Sequence, residues 1–153
     1  MRKHLILLLV LVLLPCCSKD TAVTSDFTHT GCARTKADPG KEPASQLILR
    51  YNAGSLVIIR TNATLNCSIK DGGITCEVSV EGNTIHYHAY ETDGKTLKCL
   101  CPVERMSSTI TGLKLDREYI LDYTCDGAYY PINFHYGKDL DITLDIEQFR
   151  KTE

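Results

Sequence analysis

From residue 45 onward, short stretches alternate between apolar and polar side chains with a period of two, which is typical of β-strands with one buried face. Gly, Asn or Asp residues separate many of these stretches, where a hairpin turn needs a positive φ angle. The pattern predicts strands near residues 46–51, 55–60, 65–70, 74–80, 84–91, 103–111, 118–124, 130–136 and 141–146. Strands at this spacing predict an all-β sandwich or barrel formed by residues 45–153.

The first 16 residues differ from this pattern, because a basic segment precedes an unbroken apolar run from Leu5 to Leu14. That run is too short to cross a ~30 Å hydrocarbon core as a helix, and it matches a secretory signal peptide. Leu14, Cys16 and Cys17 fit the −3, −1 and +1 positions of a bacterial lipoprotein signal. The sequence therefore predicts that residues 1–16 are removed and that Cys17 is lipidated, with an ordinary secretory signal as the alternative.

The residues that follow predict where the lipid holds the protein. Ser18 is not the aspartate that retains enteric-type lipoproteins in the inner membrane, so we expect the outer membrane, with palmitate-type acyl chains on Cys17. Residues 18–20 resemble the short tether that sends Bacteroidetes lipoproteins to the cell surface; the periplasmic face is the alternative. Residues 17–44 are polar and predict a flexible tether, in which Thr21 is a candidate O-glycosylation site.

Charge and cysteine content narrow the class of protein further. Without its signal the chain carries 15 basic and 19 acidic residues, a net charge of −4, and it has no basic run; we therefore expect no nucleic-acid partner. Eight cysteines in an exported chain indicate disulfides. Removing Cys16 and lipidating Cys17 leaves six candidates, the even number that three bridges require: Cys32, Cys67, Cys76, Cys99, Cys101 and Cys125.

The turn predicted at residues 71–73 bears on one pairing. If residues 71 and 72 form a two-residue hairpin turn, Cys67 lies opposite Cys76 in a non-hydrogen-bonded pair. The Cα atoms of such a pair are ~4.5 Å apart, which a disulfide allows. If residues 72 and 73 form the turn instead, Cys67 faces Val78 and that pairing is lost.

Cys99 and Cys101 are two residues apart, so in an extended strand they project to the same face. Each is therefore expected to take a separate partner, with Cys32 and Cys125 as leading candidates and Cys67 as their rival. A metal or redox site built on the pair is the alternative, but the spacing is neither that of zinc sites nor that of thioredoxin-like motifs.

Two histidines, His86 and His88, lie on one face of a predicted strand, a spacing that a metal site could use. The residues that alternate with them, Ile85, Tyr87 and Ala89, make the better core face, so we expect both imidazoles to face solvent. His86 and His88 are thus weak metal candidates, and no metal or other cofactor is expected. No catalytic motif is present in the sequence, so we expect no enzyme.

Tyrosines are concentrated in the last third of the chain. Tyr129 and Tyr130 stand beside a predicted turn, where exposed aromatic rings are suited to contact a protein or a glycan. These two residues are the candidate binding surface.

Two passages carry resemblances. The passage Ile110-Thr-Gly-Leu113 followed by Tyr119-Ile-Leu121 is similar to one late in immunoglobulin-like and fibronectin-III-like sandwiches, where the Leu closes the end of the core and the Tyr opens the next strand. The whole chain resembles small uncharacterised lipoproteins of gut Bacteroidetes. The matching parts are residues 14–20, residues 65–67, residues 80–85, Cys99-Leu-Cys101 and the passage above.

These resemblances imply an immunoglobulin-like or fibronectin-III-like sandwich of about seven to nine strands, braced by disulfides, on the outer membrane. They also imply that Cys67 pairs with Cys99 or Cys101 rather than with Cys76. We expect a non-enzymatic, lipid-anchored module that binds a protein or a glycan. The alternatives are a protease inhibitor of immunoglobulin-like fold and, third, a metal-binding protein that uses His86 and His88.

Overall fold

The computed structural model describes residues 25–32, 44–66, 73–92, 100–125 and 127–146. Within these ranges the chain forms nine β-strands and no α-helix. The strands are β1 (Ser25–His29), β2 (Gln46–Asn52), β3 (Ser55–Asn66), β4 (Ile74–Glu81), β5 (Thr84–Glu91), β6 (Leu100–Ile110), β7 (Arg117–Cys125), β8 (Ala128–Tyr136) and β9 (Asp141–Asp145). The prediction of an all-β protein is confirmed.

The strands form two sheets that enclose one hydrophobic core. The five-stranded sheet has the order β1-β6-β3-β2-β9, and the four-stranded sheet has the order β4-β5-β7-β8. Alternate side chains of both sheets point inward and bury apolar surface, for example Leu47 and Ile58 in one sheet and Leu121 in the other. All described strand pairs are antiparallel except β5–β7, which is parallel.

β1 lies inside the segment that the sequence predicts as a flexible tether. It pairs with β6 at the edge of the five-stranded sheet, and Phe27 packs against the core. The Thr30 amide then donates to the Arg105 carbonyl at 3.0 Å. Alternate side chains of Ser25–His29 face the core, although Phe27 is the only large apolar one among them. A strand therefore interrupts the flexible tether that the sequence predicts for residues 17–44.

β3 is longer than predicted, since one strand covers most of the two that the sequence indicates at 55–60 and 65–70. The strand passes through a local irregularity at Asn62, which has a φ of 50°. The Asn62 side chain donates to the Ala44 carbonyl at 2.8 Å, and the inward face resumes at Ala63 and Leu65. This irregularity breaks the period of two, which is why the sequence pattern indicates two strands.

The predicted hairpin between the third and fourth strands is wrong. β3 belongs to the five-stranded sheet, whereas β4 pairs with β5 in the other sheet. A hairpin would leave the two apolar faces side by side, and placing the strands in opposite sheets lets those faces pack against each other across the core. The register argument that set Cys67 opposite Cys76 therefore does not apply, and Cys76 carries a thiol.

One disulfide joins described residues. Cys32, just after β1, is bonded to Cys101 in β6, with the two Cα atoms 5.5 Å apart. This is one of the pairings that the sequence favours for Cys101. Cys76 and Cys125 carry thiols, which contradicts the disulfide predicted for each. Ala89 of β5 lies between them as the partner of both, so the two cysteines are two strands apart, too far to bridge each other.

The pairing of Cys67 is narrowed by this disulfide. Cys101 is taken by Cys32, so of the two partners that the resemblance implies for Cys67, only Cys99 is left. Both Cys67 and Cys99 lie outside the described residues; in the sequence they adjoin Asn66 and Leu100, the last described partners of the β3–β6 ladder.

We therefore expect peptide mapping of the oxidised, non-reduced domain to recover a Cys67–Cys99 cross-linked peptide, because cysteines that adjoin partnered residues of an antiparallel ladder are well placed to pair. Mass spectrometry after digestion without reductant checks this. Recovery of both cysteines with free-thiol labels would contradict it.

Tyr119 lies near the start of β7, which begins at Arg117. Its hydroxyl accepts a hydrogen bond of 3.0 Å from the Lys114 amide, and Leu113 packs half-buried against the core. The parallel β5–β7 pair departs from the antiparallel sheets of immunoglobulin-like sandwiches.

Candidate functional site

The outer face of the four-stranded sheet carries three of the predicted site residues, His86, His88 and Tyr129. Ile85, Tyr87 and Ala89 are buried in the core, so His86 and His88 project from the opposite face of β5. The prediction that both imidazoles face solvent is confirmed. Among the described residues, the large apolar side chains that are exposed, Ile120 at 40% and Tyr129 at 58%, also project from this face. Solvent-facing apolar groups that share a face are suited to contact a ligand.

Hydrogen bonds to carboxylates fix the aromatic rings of this face. The Tyr129 hydroxyl donates to Asp122 at 2.9 Å, and this bond raises the pKa of Tyr129. The Tyr90 hydroxyl donates to Glu77 at 2.6 Å, and this bond likewise raises the pKa of Tyr90. The Tyr90 ring also packs against the imidazole of His88, with centroids 4.8 Å apart. Both rings are thus held in place before any ligand arrives.

Strand register places the aromatic groups on two sides of a groove. His88 is the partner of Thr124, and Thr124 is the partner of Tyr129, so one strand with a small side chain separates the two rings. Adjacent strands lie about 4.8 Å apart, which sets the backbones of His88 and Tyr129 about 10 Å apart. The strip of sheet over Thr124 between these side chains, the aromatic groove, is wide enough for one sugar ring or one extended peptide.

Two surface depressions adjoin β5, and His88 lines both. One, of about 340 Å³, lies towards β4 and is lined by Glu77, Val78, Ser79, His86 and His88. The other, of about 210 Å³, lies where β7 ends and is lined by Leu65, His88, Tyr90, Glu91 and Gly127. Because β7 stops at Cys125, the second depression reaches down to the core residue Leu65. His88 is therefore the central residue of the candidate site.

The outer face of the four-stranded sheet carries negative charge. The outward positions of its four strands include carboxylates of Glu77, Glu81, Glu118 and Asp122, and none of these positions holds Lys or Arg. Carboxylates accept hydrogen bonds from hydroxyl and amide groups. The face is therefore suited to a neutral, hydroxyl-rich or basic ligand, and it would repel phosphate groups.

The two histidines differ in their neighbours. His86 Nδ1 lies 3.3 Å from Asp122 and its Nε2 lies 4.0 Å from Glu81, whereas His88 contacts the Tyr90 ring. Within the described ranges, no three His, Cys, Asp or Glu side chains are arranged to hold a metal ion. Nothing in this part of the chain therefore brings a third ligand to the histidine pair.

The candidate pair of surface tyrosines divides between the two faces of β8. Tyr129 is exposed as predicted, but Tyr130 is 5% exposed and packs in the core near Tyr123, so its assignment to the binding surface is wrong. Neighbours in a strand project to opposite faces, so a Tyr-Tyr pair cannot share one. Sequence reasoning missed Tyr90, although the period of two that aligns His86 with His88 also puts Tyr90 on their face.

Thr21 and Cys17 lie outside the described residues. The part of the chain that the structure does describe contains no helix that could cross a membrane.

Taken together, the fold and this face define an all-β, disulfide-containing protein with a preorganised aromatic groove on one sheet. No protein-family model, no curated protein and no solved structure matches the chain.

Proposed function

We propose that the chain is a non-enzymatic, lipid-anchored module that binds glycans through the outer face of its four-stranded sheet. The observation that carries this proposal is the groove over Thr124, with His88 and Tyr90 on one side and Tyr129 on the other. A flat aromatic ring packs against the C–H face of a sugar and loses little conformational entropy, since it has only two side-chain torsions.

Carboxylates beside the rings complete the recognition. Asp122 and Glu77 each hold a tyrosine hydroxyl and have further lone pairs that can accept sugar hydroxyls. Because these bonds fix the rings before binding, less side-chain entropy is lost when a ligand binds. A neutral glycan matches this chemistry better than an anionic one, since the face carries carboxylates and no Lys or Arg.

The cellular address of the module is part of the proposal. A lipid on Cys17 would attach it to the outer membrane, at the cell surface or on the periplasmic side, as in the Bacteroidetes lipoproteins that the chain resembles. The Tyr119–Lys114 contact and the nine strands in two sheets support an immunoglobulin-like architecture, with the parallel β5–β7 pair as a variation of its own.

A glycan array probed with the labelled soluble domain, residues 18–153, tests the proposal. We expect binding to one class of neutral glycan, and we expect His88→Ala and Tyr129→Ala each to weaken it about tenfold, the effect of losing one well-packed contact. Tyr129→Phe keeps the ring and should retain most of the binding. The matched control is His135→Ala, since His135 is bonded to Glu118 at the other end of the same sheet.

Two results would count against the proposal. Failure of the folded domain to bind any neutral glycan at micromolar concentration would reject the ligand class, and cross-linking to a protein on intact cells would then indicate the protein alternative. Glycan binding that survives both alanine variants would reject the groove as the site.

A further inference from the structure

Arg60 is a charged side chain inside the sandwich. It follows Leu56 and Ile58 on the inward face of β3, and its partners in the neighbouring strands, Leu47 and Met106, are buried. Arg60 itself is 7% exposed. Its Nε and Nη1 atoms therefore lie between the two sheets rather than in solvent.

The polar atoms of this side chain are not satisfied by the protein. Arg60 Nε and Nη1 are buried and make no hydrogen bond with any described residue. The Tyr123 hydroxyl projects inward from the opposite sheet, is buried and makes no hydrogen bond to a nitrogen or oxygen of any described residue. It lies beside the sulfur of Cys125, which is a weak acceptor.

The Tyr123 ring stacks on Tyr87 with centroids 5.0 Å apart, and the Tyr87 hydroxyl lies 2.9 Å from Ser108 Oγ on the opposite sheet. Arg60 is the next inward residue after Ile58, the partner of Ser108, so Arg60 and Tyr123 lie in the same part of the core. The charge of Arg60 also lowers the pKa of the Tyr123 phenol, which burial raises.

The described groups around the guanidinium supply no negative charge. Burial raises the pKa of the Cys76 thiol and of the Tyr87 and Tyr123 phenols, so all three are neutral near pH 7. The ion pairs among the described residues do not include Arg60. A buried cation without a counter-charge is strongly unfavourable, so a counter-ion is expected at this position.

The inward rows next to Arg60 and Tyr123 are made of small side chains. The inward row formed by Tyr87, Tyr123 and Tyr130 is followed, towards the end of the sheet, by the row Ala89, Cys125 and Ala128. On the opposite sheet Ala63 is the next inward residue after Arg60. The inward residues that follow Arg60 and Tyr123 on the two sheets are therefore small, which favours a small guest over a large one.

We propose that the sandwich binds a small monovalent anion, a halide or a carboxylate, between its sheets. Arg60 Nε and Nη1 and the Tyr123 hydroxyl are its hydrogen-bond donors. The guanidinium balances the charge of the anion, and a halide or a carboxylate can accept the hydrogen bonds that these three groups donate. This site is distinct from the glycan groove, since it lies on the inner face of the four-stranded sheet.

Thermal unfolding of the soluble domain in a HEPES buffer, with sodium chloride, nitrate, formate or acetate added at equal ionic strength, tests the proposal. We expect a Tm increase of about 10 °C at an anion concentration 100-fold above its dissociation constant. In Arg60→Met the anion response should vanish, and Tyr123→Phe should weaken it. Arg105→Met, at an exposed arginine on the same ladder, is the matched control and should respond like the native protein.

The pattern of response separates the guests. An increase with chloride and nitrate indicates an inorganic anion, an increase confined to formate and acetate indicates a carboxylate, and either supports the proposal. Broadening of the ³⁵Cl resonance by the native protein but not by Arg60→Met is the spectroscopic counterpart for a halide. An equal anion response of native protein and Arg60→Met overturns the proposal; if that variant does not fold, an undiminished response of Tyr123→Phe does so.

Discussion

Replacing both Cys32 and Cys101 by alanine should lower the free energy of unfolding of the soluble domain by about 4 kcal/mol. The disulfide closes a loop with a sequence separation of 69, and long loops restrict the unfolded chain most. It also holds β1, a short edge strand with Phe27 as its only large apolar residue. Without the covalent bond, we expect β1 to detach before the rest of the sheet unfolds.

Urea unfolding under oxidising conditions measures this loss, and hydrogen exchange of residues 25–30 reports on β1. Cys76→Ala is the control, because it removes a half-buried thiol and no disulfide, and it should cost far less. Adding reductant to the double variant separates the Cys32–Cys101 bond from the predicted Cys67–Cys99 bond. A loss below about 1 kcal/mol in the double variant would show that the disulfide does not stabilise the fold as inferred.

Replacing Cys17 by serine should abolish membrane attachment completely. Stable anchoring by lipid needs more than one acyl chain, and the proposed lipid on Cys17 is the only anchor that the sequence suggests. Metabolic labelling with a fatty-acid probe, followed by fractionation, measures both modification and location. Cys16→Ser is the control, since it keeps a small residue at the cleavage position and should retain the label; persistent labelling of Cys17→Ser would refute the assignment.

The alternation of apolar and polar residues predicted which side chains face the core, because that depends only on neighbouring residues of the same strand. Ile85, Tyr87 and Ala89 point inward as expected. Turn positions were also predictable: the turn around Gly82 joins β4 to β5 and has a φ of 61°, which glycine adopts at little cost.

Strand partners were not predictable in the same way, since pairing depends on residues distant in the sequence. The placement of β3 and β4 in different sheets follows from packing across the core. The sequence of β1 does not by itself predict a strand. Its pairing with β6 and the disulfide from Cys32 to Cys101 hold it in the sheet.

The candidate site was predictable only in part. Alternation assigned His86 and His88 to an outer face. The prediction put Tyr129 and Tyr130 together on the binding surface, whereas the register with β7 places only Tyr129 on the face of the histidines. Arg60 could not be found from the pattern. A charged residue at an inward position contradicts the alternation, and only the fold shows that its neighbours are buried.

The position of β1 also limits how far the protein can reach. If Cys17 carries the lipid, seven residues separate it from Ser25, and a fully extended chain from Cys17 to Ser25 spans roughly 25–30 Å. Ser25 is the partner of Ile110, so the chain from the lipid joins the sandwich at the end opposite the depression beside Gly127. The domain would stand close to the bilayer with its groove opening outward, and it would capture glycans that come to the membrane rather than search for distant ones.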